Sequence, residues 1–263
     1  MNQLLLTEIT SLSLFFSFSL GGCGSIEYGT IGFTSGQVIG GRWKALQHFC
    51  ASILYQDVFI SCGVFGTAAS CFARNDNPLH ALNAIATVTT LRITGSGTVL
   101  QTNTTTISLP HGAGAVTWWC LGNGSADSCE SMSSSLSRMG CSASGSDCVL
   151  FLSLSDTTTG SNLATNWELL GLPGHLSLSS PSLSWVIASN PNVDGSVNVT
   201  VTAHSAPAAF VTLTTLAQGR FSDNVFWIPT SGTSQTVSFL PFGVLDLDTL
   251  TDTLRVEHLQ QYL

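Results

Sequence analysis

Charge is what this chain has least of. Asp, Glu, Lys and Arg make up 8% of its 263 residues, Lys44 is the single lysine, and the net charge is −8. That balance excludes a nucleic-acid surface, which needs clustered basic side chains to displace counterions. Long apolar runs are missing too. The apolar patch at residues 12–20 is broken by serines and is shorter than the roughly 20 residues a helix needs to cross a bilayer. No stable membrane span is expected. No Cys-x-x-Cys occurs, and the six histidines (His48, His80, His111, His175, His204, His258) never stand at ligand spacing, so the pattern offers no zinc site. A serine nucleophile would need an elbow such as Gly-x-Ser-x-Gly, and Gly140-Cys141-Ser142-Ala143-Ser144-Gly145 only approximates one. The turn Thr94-Gly95-Ser96-Gly97 lacks the helix and lysine of a phosphate loop. No cofactor and no metal follow from these patterns.

What is present is core-forming material: 44% hydrophobic residues, with serine, threonine and glycine dominating the rest. The run Ser196-Val197-Asn198-Val199-Thr200-Val201-Thr202 puts three valines on one face and polar side chains on the other. Val237 with Phe239, and Leu254 with Val256, repeat that two-residue period of a half-buried strand. Between them, Gly219-Arg220-Phe221-Ser222-Asp223-Asn224 reads as a tight corner, braced by Arg220 and Asp223. Upstream, strand candidates are 58–64, 68–73, 81–92, 98–109, 116–121, 149–155 and 167–170, separated by turn signals such as Asn75-Asp76-Asn77-Pro78 and Pro110-His111-Gly112. Many short strands at this spacing predict immunoglobulin-like sandwiches. The expected fold is all-β: one sandwich over 56–180, then a linker at 177–182 with Pro181, then a second over 181–263. From Arg42, the stripe Trp43, Leu46, Phe49, Cys50 and Ile53 predicts a helix. Residues 122–147 read as a long loop.

Eight cysteines are many for a reducing compartment. Cys120, Cys129, Cys141 and Cys148 fall in that Gly/Ser-rich loop region, and two disulfides in one of three connectivities are expected there. Three Asn-x-Ser/Thr sequons, at Asn103, Asn123 and Asn198, agree with a secretory, lysosomal or extracellular destination; alternation turns Asn198 outward. Residues 1–23 form a leader of open status: a truncated or misread reading frame, a signal peptide without its basic n-region, or, through Leu20-Gly21-Gly22-Cys23, a lipoprotein site.

Two segments carry a resemblance. Gly219-Arg220-Phe221-Ser222-Asp223-Asn224, followed by Phe226 and a terminal Leu254-Arg255-Val256-Glu257-His258-Leu259, resembles the last domain of the β-mannosidases, retaining exo-glycosidases of glycoside hydrolase family 2. Ser25-Ile26-Glu27-Tyr28-Gly29 and Gly41-Arg42-Trp43-Lys44-Ala45-Leu46-Gln47-His48-Phe49 resemble the segment that closes the family's catalytic barrel. Residues 30–40 split that segment and have no counterpart in the family pattern; a retained intron and a real loop are both open. The resemblance implies that 24–55 is the last strand and helix of a (β/α)8 barrel. It also implies that Glu27, Tyr28, Arg42, Trp43, Lys44, Gly219, Arg220, Phe221, Asp223 and Asn224 are structural family positions. The partners it implies are the missing barrel and, through a parent enzyme, a β-mannoside or N-glycan-derived oligosaccharide.

A retaining glycosidase uses two carboxyl groups about 5 Å apart. In this family the acid/base glutamate follows an asparagine, and no Asn-Glu pair occurs in this sequence. Glu8, Glu27, Glu130, Glu168 and Glu257 are scattered, and Asp246, Asp248 and Asp252 alternate with leucines as a solvated turn would. No catalytic residue is expected in the chain. Two functions remain: the accessory C-terminal part of a β-mannosidase-like hydrolase, and a secreted carbohydrate-binding or adhesive sandwich. The second draws on the leader, the sequons, the cysteines and the adjacent Trp118 and Trp119, which a regular strand would turn to opposite faces, one to the core and one as a sugar platform.

Overall fold

A strand with one apolar and one polar face must be covered on one side only, and this chain closes such sheets over each other twice. The computed structural model describes residues 38–39, 42–43, 45, 56–65, 68–112, 114–121, 129 and 131–263. The leader, Glu27, Tyr28, Lys44 and Asn123 lie outside the described residues. So does most of the stripe expected as a helix from Arg42. Its beginning is a strand: β1 (Val38–Ile39) pairs antiparallel with β2 (Arg42–Trp43), and only Ala45 is helical among the described residues there.

The first sandwich stacks β3 (Val58–Phe65), β4 (Ala68–Asn75) and β7 (Gly114–Cys120) on a second sheet. That sheet comprises β5 (Leu82–Arg92), β6 (Thr98–Leu109), β8 (Cys148–Asp156) and β9 (Asn162–Leu169), in the order β6-β5-β8-β9. The second sandwich has one sheet of β10 (Leu183–Ile187), β11 (Val197–Ala203), β15 (Thr233–Pro241) and β13 (Gly219–Phe221), in that order. Its other sheet is β14 (Phe226–Ile228), β12 (Ala208–Thr214) and β16 (Arg255–Glu257). Every pairing is antiparallel, as the immunoglobulin-like reading requires. The all-β expectation holds. β11 keeps strict alternation, with Val197, Val199 and Val201 fully enclosed.

Four local expectations are corrected. Inside the stretch read as a loop, α1 (Met132–Met139) seats Leu136 and Met139 in the first core. Its serines are weak helix formers, and its ends hold it. Ser131 accepts a bond from the Ser134 amide, while Gly140, at φ 81°, and Cys141 close the C-terminus on Ser137 and Leu136, a Schellman arrangement. Second, Trp118 and Trp119 do not diverge. Cys71 pairs with Trp119 and the next residue, Phe72, with Thr117, so Trp118 is the extra residue of a β-bulge. A bulge breaks alternation, and both indoles are core, 5% and 1% exposed.

Third, Gly219 is a strand residue, not the corner. A Cβ there would collide with the Phe239 ring and the Leu240 carbonyl, so close approach and not positive φ requires glycine. The corner is made by Asn224, whose amide bonds both the N–H and the C=O of Leu213 at 2.8 Å, acting as a short surrogate strand. Fourth, the Asp246–Asp252 run is a helix, α2 (Leu247–Thr253), and Asp246 is its N-cap. Bonds from the Thr249 hydroxyl and amide hold the Asp246 carboxyl below its ordinary range.

Candidate functional site

β12 departs from alternation: its first six residues are all buried. Ala208, Val211 and Leu213 belong to the second core, and Ala209 and Phe210 to a third cluster lying between the sandwiches. The register explains how one strand faces two ways. Ala208 pairs with Ile228 and Val211 with Phe226, three steps against two, and within the bulge Phe210 sits at φ 52°. That turns its ring onto Trp167 of β9, centroids 4.5 Å apart and nearly perpendicular at 83°. Trp227 joins from β14, 5.6 Å from Phe210 and 6.2 Å from both Trp167 and Phe151. Edge-on and tilted contacts at these distances match the preferred geometries of aromatic pairs.

The first sandwich contributes the outer face of its larger sheet: Leu91 opposite Val149, and Phe151 opposite Trp167. Val225, immediately after Asn224, completes the cluster at φ 58°. A β-branched residue in the left-handed region costs about 1–3 kcal/mol and persists only where its surroundings over-determine it. Both strained non-glycine residues among those described, Phe210 and Val225, point into this one junction. Ala45 is buried in it as well.

Polar contacts rim the junction. The turn at 94–97 docks on the second sandwich: the Ser231 amide donates to the Ser96 carbonyl at 2.8 Å. Gly97, at φ 81°, leaves no room for a Cβ beside the Pro229 carbonyl. Gln260 donates to the carbonyls of Pro207 (2.8 Å) and Ser179 (3.3 Å) while accepting from the Ala209 amide. The linker is tied back by the Ser177 amide on the Ser146 carbonyl, 2.7 Å. The sandwiches therefore meet through a packed apolar surface with a hydrogen-bonded edge.

Just behind the junction, β9 closes the open side of the first sandwich. Asn166 donates to the Ile60 carbonyl at 2.9 Å, and Glu168 accepts from the Ser61 hydroxyl and, at 3.3 Å, from the Cys62 amide. Two side chains thus stand in for the missing β3–β9 ladder. Glu168 is the one acidic residue buried among those described. Burial pushes its carboxyl up to about 8, against the opposing pull of the Ser61 and Cys62 bonds. Sequence reading passed over it because its surroundings come from strands more than a hundred positions away.

The remaining candidates are dispersed. Disulfides join Cys120 to Cys129 and Cys141 to Cys148, and a third, which the sequence reading did not find, joins Cys62 to Cys71 across paired strands. Cys141 and Cys148 also lie beside Asp147, but a disulfide leaves no thiolate for a metal. Arg220 is exposed on β13, while Phe221 is core and stacks edge-on with Phe239 at 5.3 Å. Asp223 accepts from the Asn224 amide at 2.8 Å. Among the described residues no helix is long and apolar enough to cross a membrane.

Fold and junction together define a tandem immunoglobulin-like module. Residues 178–262 match the family described as the Ig-fold domain of mannosidases, so the resemblance read from the 219–224 motif holds for the C-terminal sandwich. The solved β-D-mannosidase of Dictyoglomus thermophilum is similar over 82% of this chain and 23% of its own, with a TM-score of 0.58 at 14% identity. The exo-chitosanase of Amycolatopsis orientalis gives 0.47 at 15% identity, over 78% of this chain and 26% of its own. At 14% identity the likeness to the mannosidase is one of fold. This chain spans about a quarter of the length of those enzymes. No curated protein matches it.

Proposed function

We propose that this chain is the accessory C-terminal part of a β-mannosidase-like glycosidase, a scaffold and not the seat of chemistry. The observation that carries this reading is the match of residues 178–262 to the mannosidase Ig-fold domain. The junction supports it: Ala45, within the barrel-like motif, is buried in the same apolar cluster that joins the sandwiches, so that segment would anchor a barrel to both at once. The activity of the whole enzyme would be hydrolysis of terminal non-reducing β-D-mannose in β-mannosides, including glycoprotein-derived oligosaccharides. The three disulfides fit a secretory, lysosomal or extracellular setting.

The test has two arms. Purified chain incubated with a chromogenic β-mannoside is expected to release nothing; turnover removed by no single contaminant fraction would overturn the accessory reading. Sequencing transcripts upstream of Ser25 is expected to find a barrel with an Asn-Glu pair. A complete message that begins at Met1 would remove the parent enzyme from the proposal.

A further inference from the structure

We infer that Asn198 is the sugar-modified asparagine of the second sandwich, and that Asn103, which carries an equivalent sequon, is left bare in the folded protein. The two look alike in sequence, Asn-Val-Thr and Asn-Thr-Thr, and the sheets separate them. Asn198 stands between Val197 and Val199, both fully enclosed, so its side chain is on the outer face of β11. There it lies opposite Ser238, in a row of polar pairs continued by Thr200 with Thr236 and Thr202 with Ser234, each 2.8 Å apart. Its Oδ1 accepts from the Ser238 hydroxyl at 2.9 Å and the Asn192 amide at 3.1 Å. These bonds hold the oxygen down on the sheet and do not engage Nδ2, the atom that takes the sugar.

Asn103 has the opposite setting. It pairs with Val88, which is fully enclosed, so its side chain leaves from the inner face of the edge strand β6, where it is half-buried. Its Nδ2 is buried with no hydrogen-bond partner. A sugar on that nitrogen would have to enter at the inner face of β6, where the atom itself is closed to solvent.

The transfer itself precedes sheet closure, because the folded Asn198 backbone is paired on both sides, to β15 and through the Ala188 amide at 2.8 Å. In the extended chain, Nδ2 attacks C1 of an oligosaccharide carried on a polyprenyl diphosphate. An N–C1 bond forms, the C1–O bond breaks, the diphosphate leaves with its electron pair, and Nδ2 gives up one proton. Modification at Asn198 is compatible with later folding; modification at Asn103 is not. The glycan also assigns the outer face of β10, β11 and β15 to solvent in any larger assembly, opposite to the face that packs on the first sandwich.

The experiment expresses this chain behind a heterologous leader in a secreting eukaryotic cell, purifies the monomeric secreted protein, and maps glycopeptides before and after enzymatic deglycosylation. The expected result is occupancy in the Asn198 peptide and none in the Asn103 peptide. T200A should lose the Asn198 glycan, T200S should keep it, and N103Q should leave the glycoform unchanged. An unmodified Asn198 peptide in folded wild-type protein, or a glycan on Asn103, overturns the inference. The outcome is independent of whether a catalytic barrel exists.

Discussion

Replacing Glu168 by glutamine should change how the stability of this protein depends on pH more than any other single substitution among the described residues. The folded carboxyl, enclosed between β9 and β3, is raised from 4.5 to about 8, while in the unfolded chain it returns to its ordinary value. Between those two values the unfolded state is ionised and the folded state still holds the proton. Folding then takes up one proton, so stability falls as pH rises through this window. Each unit corresponds to about 1.4 kcal/mol. From pH 4.5 to 7.5 the wild-type protein should therefore lose about 4 kcal/mol through this group. Glu168→Gln keeps the shape and an oxygen that can accept from Ser61 and Cys62, and it has no proton to take up. Urea unfolding at half-unit steps from pH 4.5 to 8 reads the difference between variant and wild type, cancelling groups common to both, such as His258, whose burial lowers its value and acts in the opposite direction. The two proteins should agree within about 1 kcal/mol at pH 4.5 and diverge steadily, the variant becoming the more stable by about 4 kcal/mol at pH 7.5. Parallel curves would show that Glu168 is ionised when folded, and the account of the β3–β9 seam would be wrong.

Gly97→Ala should cost about 2 kcal/mol or more in thermal or urea unfolding, combining left-handed strain with the clash on Pro229. Gly95→Ala, at φ 62° with open space around it, should cost only about 1 kcal/mol. Asn224→Ala leaves the Leu213 N–H and C=O buried without partners and should destabilise the second sandwich by about 2–4 kcal/mol, with hydrogen exchange at β12 rising first. Removing both Cys62 and Cys71 as alanines frees a loop of separation 9 and should lower unfolding free energy by about 2.5 kcal/mol on the chain-entropy view; an unchanged urea midpoint would contradict it.

Strand positions were legible wherever one face is wet. The alternation at 196–202 and the turn residues at 75–78 and 110–112 place β11, β4, β5, β6 and β7 to within a few residues, because period and turn chemistry are local. What escaped was set at a distance. Trp118 and Trp119 read as diverging because a bulge is decided by register with β4, not by their own neighbours. The start of β9, Asn162-Leu163-Ala164-Thr165-Asn166, follows a turn and opens and ends on asparagine, so it looks like loop until Asn166 meets the Ile60 carbonyl. α1 is poor in helix formers and rests on its caps and on Leu136 and Met139. Cys62 and Cys71 lie within strands and become neighbours only when β3 pairs with β4. Glu168 gave no signal at all: its local sequence is that of an ordinary half-exposed strand.

β12, enclosed on both sides, bears on what counts as a unit in this molecule. A cut at the linker would separate two stretches of sequence yet expose on each half an oily patch, Phe210 and Trp227 on one and Trp167 and Phe151 on the other. Such halves would tend to cling to each other or to themselves. Melting should accordingly be one event shared by both sandwiches, although Ser177, Ser179, Ser180 and Ser182 of the link between them are exposed.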